Sequence, residues 1–158
     1  GREQSLRLSS FLAQRGIVRI VSSPFKRAVD SARPLAETLE LPVEIDERLS
    51  ERQLGFLENG DWLSALHLSF RDPHLCLPGG ESSLMAQARG VAVIEDVFRG
   101  AQLPTAVFSH GNLLTLIANS LDDSLSFDFW RGLTNPDVFE MRHASNPPVL
   151  SRVWPSPI

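Results

Sequence analysis

Apolar positions recur along the chain with two alternating periods. Leu6, Leu8, Phe11 and Leu12 draw an apolar stripe at helical spacing over residues 2–15, and Gly16 stands where a glycine ends a helix. The short β-branched run Ile17-Val18-Arg19-Ile20-Val21 predicts a buried strand, stopped by Ser22-Ser23-Pro24. Serine followed by proline at the first helical position predicts a helix start, and Phe25, Ala28, Val29 and Ala32 continue at helical spacing. Pro34 is expected to kink or break this helix before Leu35, Ala36 and Leu39 resume the pattern. Residues 42–45 read as a short strand or extended connector, and residues 48–60 as a polar loop. Asp61 is placed to cap a short helix through Trp62, Leu63, Leu66 and Phe70. Pro78-Gly79-Gly80 is a turn, after which Leu84, Ala88, Val91, Ala92 and Phe98 mark a long amphipathic helix, capped by Ser82 and ending near Gly100. Thr105-Ala106-Val107-Phe108 is a strand that runs through Ser109-His110-Gly111 into a helix carrying Leu113, Leu114, Leu116 and Ile117 and reaching about Leu121. A small aromatic segment (Phe127, Phe129, Trp130) follows, and residues 138–142 and 149–154 predict two last strands, paired as a hairpin around Asn146-Pro147-Pro148.

Strands alternating with helices make the chain α/β. In an open sheet of that class ligands bind at the C-terminal edge of the strands, which is where the Ser109-His110-Gly111 turn exposes its histidine. The helix that follows offers unpaired backbone N–H groups and a positive dipole end, so the expected ligand is an anion. Arg27, in the first turn of the helix after Ser22-Ser23-Pro24, can reach the same crevice, and its planar fork suits phosphate oxygens. Glu51, in the loop between the two turns, is a carboxylic acid able to give a proton to a departing alkoxide.

Composition narrows the partners. The chain has 158 residues, 42% hydrophobic and 22% charged, which suits one domain over residues 1–158. A net charge of −4 with both signs interspersed supplies no basic field for nucleic acid or an anionic membrane, so an anion site must be a local cluster. One cysteine excludes an internal disulfide and predicts a reducing, cytoplasmic setting; Cys76, between Leu75 and Leu77, reads as a buried small hydrophobe. No apolar run approaches the roughly 18 residues a membrane span needs, and no signal-peptide pattern is visible. The chain begins at Gly1 inside a helical pattern with neither Met nor cap, so residues upstream are expected. His67, His74 and His143 read as surface or capping residues, and with Cys76 they lack zinc-ligand spacing, so neither metal nor cofactor is expected. Trp62, Trp130 and Trp154 are assigned to packing, and Glu81 and Ser82 to capping or substrate contact. Oligomeric state is left open.

Four segments taken together resemble the histidine phosphatase (phosphoglycerate mutase-like) superfamily: Val21-Ser22-Ser23-Pro24-Phe25-Lys26-Arg27-Ala28; Arg48-Leu49-Ser50-Glu51 with Gly55 and Glu58; Pro78-Gly79-Gly80-Glu81-Ser82; and Ser109-His110-Gly111-Asn112. They stand in the family's order and span essentially the whole chain. The resemblance implies a three-layer α/β/α sandwich with a mostly parallel sheet, and phosphoryl transfer through a phosphohistidine. It implies Arg27 as a phosphate-binding arginine, Glu51 as the proton donor and His110 as the second active-site histidine, with Ser22, Gly111 and Asn112 alongside the phosphate. The family's Arg-His-Gly segment, which carries the nucleophile on a central strand, is absent; Gly1-Arg2-Glu3-Gln4 resembles the start of the helix after it. The expected activity is hydrolysis of a small phosphorylated metabolite, the short loop between Glu51 and Gly79 favouring a phosphatase. Mutase-type phosphoryl transfer and a non-catalytic phosphate-binding or regulatory module are the alternatives.

Overall fold

Three short parallel strands carry the site. The computed structural model, which describes residues 2–58, 60–143 and 145–154, orders them β2-β1-β3, with β1 at Arg19–Ser22, β2 at Val43–Ile45 and β3 at Thr105–Phe108. Ile20, Val21 and Ser22 face Val43, Glu44 and Ile45 on one side, and the four residues of β1 face the four of β3 on the other. Parallel neighbours need crossovers, and helices supply them. Helix α2 (Lys26–Leu39) joins β1 to β2, and α3 (Trp62–Arg71) and α4 (Ser83–Arg99) lie between β2 and β3. Helix α1 (Arg2–Ala13) precedes β1; α5 (Gly111–Asn119) and α6 (Phe127–Arg131) follow β3, before an antiparallel hairpin of β4 (Phe139–Arg142) and β5 (Val149–Arg152).

Alternation along the strands builds the layers. Ile20, Ala106 and Phe108 point to one face, where Leu8 and Leu12 of α1 and Ala28, Ala32, Leu35 and Ala36 of α2 cover them. Val21 and Val107 point to the other, against Val93 and Val97 of α4 and the fully buried Leu49. Helix α5 packs beside α4 through Leu113, Leu116 and Ile117 against Ala86. The result is a three-layer α/β/α sandwich. Burying a side chain such as Ile20 contributes about 1.5–3 kcal/mol, so each face of the strands is fixed by a few such residues.

Several local expectations change. Helix α2 does not break at Pro34, which lies inside it. A proline there costs a helix about 3 kcal/mol, and the burial of Leu35 and Ala36 against the sheet offsets it. Pro24 lies before the helix; the N-cap is Phe25, with no side-chain cap, and its N–H is taken by Ser23 Oγ at 3.2 Å. The first strand runs one residue further than the periodicity suggests, to Ser22. Cys76 is exposed, because Leu75 and Leu77 turn inward on either side of it in an extended stretch. Trp154 packs edge-on to Phe11, whereas Trp62 is exposed and meets the edge of Trp130. Among the described residues no helix is long and apolar enough to cross a membrane.

Two glycines of the sequence motifs have a packing reason. A Cβ on Gly80 would lie 2.5 Å from the Leu54 carbonyl oxygen, and one on Gly55 would lie 2.9 Å from the Pro78 oxygen. Gly55 also has φ +100, in the left-handed region. Only glycine at both positions lets residues 53–55 lie against residues 78–81, a contact that bears on the site.

Among the described residues, β3 pairs only with β1. Its other edge and the edge of β4 both line one large cleft of about 1920 Å³. Apolar residues such as Leu8, Leu12, Ile17 and Ala28 line it together with Arg27, Glu51, Ser109 and His110.

Candidate active site

The site forms where β1 and β3 end. Because Ser22 is in register with Phe108, the chain leaves both strands side by side, and the Ser23 N–H bonds the Phe108 carbonyl at 2.9 Å. His110 is the N-cap of α5, with extended backbone (φ −133, ψ 159) and no side-chain capping bond, so its imidazole is free to face neighbours. One ring nitrogen, Nε2, lies 2.7 Å from Ser23 Oγ; the other, Nδ1, accepts the Arg27 Nε–H at 3.0 Å. An arginine only donates, which places the imidazole proton on Nε2, donating to Ser23 Oγ. The Phe25 ring lies 5.1 Å from the imidazole and 5.2 Å below the Arg27 guanidinium, closing one side.

Glu51 arrives from a different part of the chain. A 3-10 turn at Glu47–Leu49, capped by Asp46, drives Leu49 into the core under the sheet, and Ser109 Oγ donates to the Leu49 carbonyl at 2.9 Å. The next turn of chain sets the Glu51 carboxylate over the start of α5. There Oε1 accepts the Leu113 N–H at 3.1 Å and the Arg52 N–H at 2.9 Å, while Oε2 accepts the Asn112 N–H at 3.3 Å. The N–H groups at the positive end of the helix thus hold the Glu51 side chain in place.

The His110 pKa is pushed down to about 4. Burial is the largest cause, followed by the positive charges of Arg27 and then Arg89. The ring is therefore neutral near pH 7, close to the two guanidinium groups.

Arg27, Glu51, His110 and Gly111 all line the cleft. Asn112 contributes its backbone N–H, and its own Oδ1 is buried with no hydrogen-bond partner among the described residues. Ser22 is not brought to the hollow: it is fully buried and its hydroxyl donates to the Ser23 carbonyl. Ser23 takes the place beside the histidine. That exchange follows from the strand end, since side chains alternate with period two and one added residue reverses which serine points where. Of the other histidines, His67 lies 4.5 Å from the Phe127 ring, His74 is exposed, and His143 lines the same cleft beside Phe98. Arg89 and Glu81 stand behind the Glu51 loop, a role that helical spacing alone does not signal.

Comparison with known proteins identifies the family. The family model described as histidine phosphatase superfamily (branch 1) matches residues 1–153. The glucosyl-3-phosphoglycerate phosphatase of Mycolicibacterium vanbaalenii is 30% identical in an alignment 141 residues long that covers 77% of this chain and 60% of that protein; the Mycobacterium tuberculosis enzyme of the same name is also 30% identical, in an alignment of 142 residues covering 77% and 61%. The chain thus spans about 60% of the length of these curated relatives. A solved mycobacterial glucosyl-3-phosphoglycerate phosphatase in complex with VO3 superposes with a TM-score of 0.72 at 26% identity, over 97% of this chain and 82% of that one. With a whole-length family match, relatives of this identity and a shared fold, the chain belongs to the histidine phosphatase superfamily (branch 1).

Proposed function

We propose that this chain is the larger part of a phosphatase domain that hydrolyses a small phosphorylated metabolite through a phosphohistidine, without a cofactor and in the cytoplasm. One observation carries the reading: Arg27 and His110 meet at 3.0 Å, and the Glu51 carboxylate rests on the N–H groups of the two residues that follow Gly111. A guanidinium, an imidazole and a helix N-terminus converging on one hollow match the oxygens of a phosphoryl group. The relatives named as phosphatases and the solved relative holding VO3 support an anion of that shape.

In the proposed reaction Arg27 and His110 hold the non-bridging oxygens, His110 through Nδ1 once the phosphoryl charge favours the imidazolium and the Arg27 guanidinium turns from the ring to the oxygens. The nucleophile is a histidine from outside residues 1–158, on a strand seated in the cleft between the edges of β3 and β4. Its ring nitrogen attacks phosphorus, the ester P–O bond breaks, and the electron pair leaves on the alkoxide oxygen, which takes the Glu51 proton. Water then attacks the phosphohistidine, with Glu51 as base, and releases inorganic phosphate. Phosphoryl transfer rests mainly on positioning and charge stabilisation, which is what these groups supply. The single cysteine supports the cytoplasmic setting.

A phosphatase assay on the whole gene product with sugar and glycerate phosphates tests the reading. Release of inorganic phosphate from a monoester is expected. Calorimetric binding of inorganic phosphate with no turnover of any ester would instead establish a phosphate-binding module.

A further inference from the structure

The Gly-Gly-Glu-Ser motif carries a charged residue that the chemistry above does not use. Glu81 sits just before the cap of α4, and its carboxylate is held by Arg89, with Arg89 Nε donating to Oε2 at 3.0 Å and Nη2 to Oε1. The pair is mostly shielded from solvent. Burial alone would raise the Glu81 pKa, but the Arg89 hydrogen bonds and charge outweigh it and hold the group ionised. The remaining Arg89 nitrogen, Nη1, donates to the backbone carbonyls of Arg48 and Ser50 at 2.6 and 2.7 Å. On the far side of Glu51, the Glu81 N–H donates to the Gln53 carbonyl at 2.9 Å, and the Glu81 carbonyl accepts from the buried Arg52 at 3.2 and 3.3 Å. Arg52 in turn reaches Ser69 Oγ at 2.7 Å.

Backbone on both sides of Glu51 is thus bolted to the start of α4, while the Glu51 carboxylate accepts from three backbone N–H groups. A carboxylate that must meet a leaving-group oxygen has to be held within a fraction of an ångström. We propose that Arg89, fixed by Glu81, is the positioning residue for Glu51, and that the Glu81–Arg89 pair is the reason the Gly-Gly-Glu-Ser motif carries a glutamate. The proposal rests on the reading of Glu51 as proton donor. Arg89 donates to Glu81 and to backbone carbonyls, so in the first step its main effect is on proton delivery to the leaving group.

The test compares two substrates in the whole protein: 4-nitrophenyl phosphate, whose leaving group needs no proton, and an alkyl phosphate, whose leaving group does. Arg89→Ala is expected to lower kcat/KM, which reports the steps up to departure of the leaving group and not the later hydrolysis shared by both esters, by on the order of 10–100-fold for the alkyl ester and to leave it within about threefold for the nitrophenyl ester, because general-acid help matters only for the poor leaving group. Arg89→Lys restores part of the loss, and Glu81→Gln, which keeps the volume of the pair, shows the same selectivity to a smaller degree. Equal losses on both esters in Glu81→Gln and Arg89→Lys, or no loss on either, would overturn the positioning role while Glu51→Gln remains selective for the alkyl ester. If Glu51→Gln itself shows no such selectivity, the proton-donor reading fails and this inference falls with it.

Discussion

Replacing Arg27 with alanine is expected to reduce kcat/KM of the whole protein on a phosphate monoester by roughly 10²–10³-fold, or about 3–4 kcal/mol of transition-state stabilisation. Arg27 lies in the first turn of α2 with its side chain on the exposed side of the helix, outside the core. Its loss should therefore leave stability within about 0.5 kcal/mol of wild type, so a fall in activity cannot be attributed to unfolding. The guanidinium presents Nε to His110 and has two further nitrogens to offer to phosphoryl oxygens, a fork that charge alone does not reproduce. Arg27→Lys should accordingly recover only a part of the loss. Steady-state kinetics on the three proteins check this; wild-type kcat/KM in Arg27→Ala would remove the arginine from the chemistry.

A second large effect concerns pH. The His110 pKa is about 4 in the folded protein, against about 6.5 for an unperturbed imidazole. The unfolded state then binds the proton more readily, so the stability associated with the neutral ring is fully present above pH 6.5 and is lost as pH falls from there through 4. A shift of this size corresponds to the order of 2–3 kcal/mol. Urea unfolding of wild type and His110→Gln at pH 7.5, 6, 5 and 4 isolates the residue from His67, His74 and His143, because those titrate in both proteins. The wild-type advantage should shrink as the pH drops. A difference that stays flat from pH 7.5 to 4 would mean that the ring is not buried beside cationic neighbours.

Much of this architecture was legible before any coordinates. The helical stripes of α4 and α5, the short β-branched run of β3, the Asp61 and Ser82 caps and the closing hairpin all follow from local signals, whereas β1 lies at Arg19–Ser22 and not over the predicted residues 17–21. The convergence of Arg27 and His110 was also legible, because two strand-to-helix turns in one parallel sheet must open on the same edge. What local pattern could not give was anything set by contacts distant in sequence. Pro34 stays helical because of what Leu35 and Ala36 bury, and Ser23 faces His110 because β1 ends one residue later than its apolar run. The Arg89 bonds to Arg48 and Ser50 join residues about forty positions apart and leave no periodic trace. The resemblance to a family named Glu51, yet only the buried Leu49 and the start of α5 explain how a loop residue reaches that place.

The central claim is that Arg27, His110 and the start of α5 enclose one phosphoryl-sized hollow, and NMR titration of the His110 imidazole with and without inorganic phosphate addresses it most directly. In the free protein the ring should titrate near pH 4. Saturating phosphate should raise that midpoint by at least about one unit, because a neighbouring anion favours the imidazolium and the linkage is reciprocal. In Arg27→Ala the same phosphate concentration should leave it where it stood. A His110 midpoint that phosphate does not move in the wild-type protein would contradict the account.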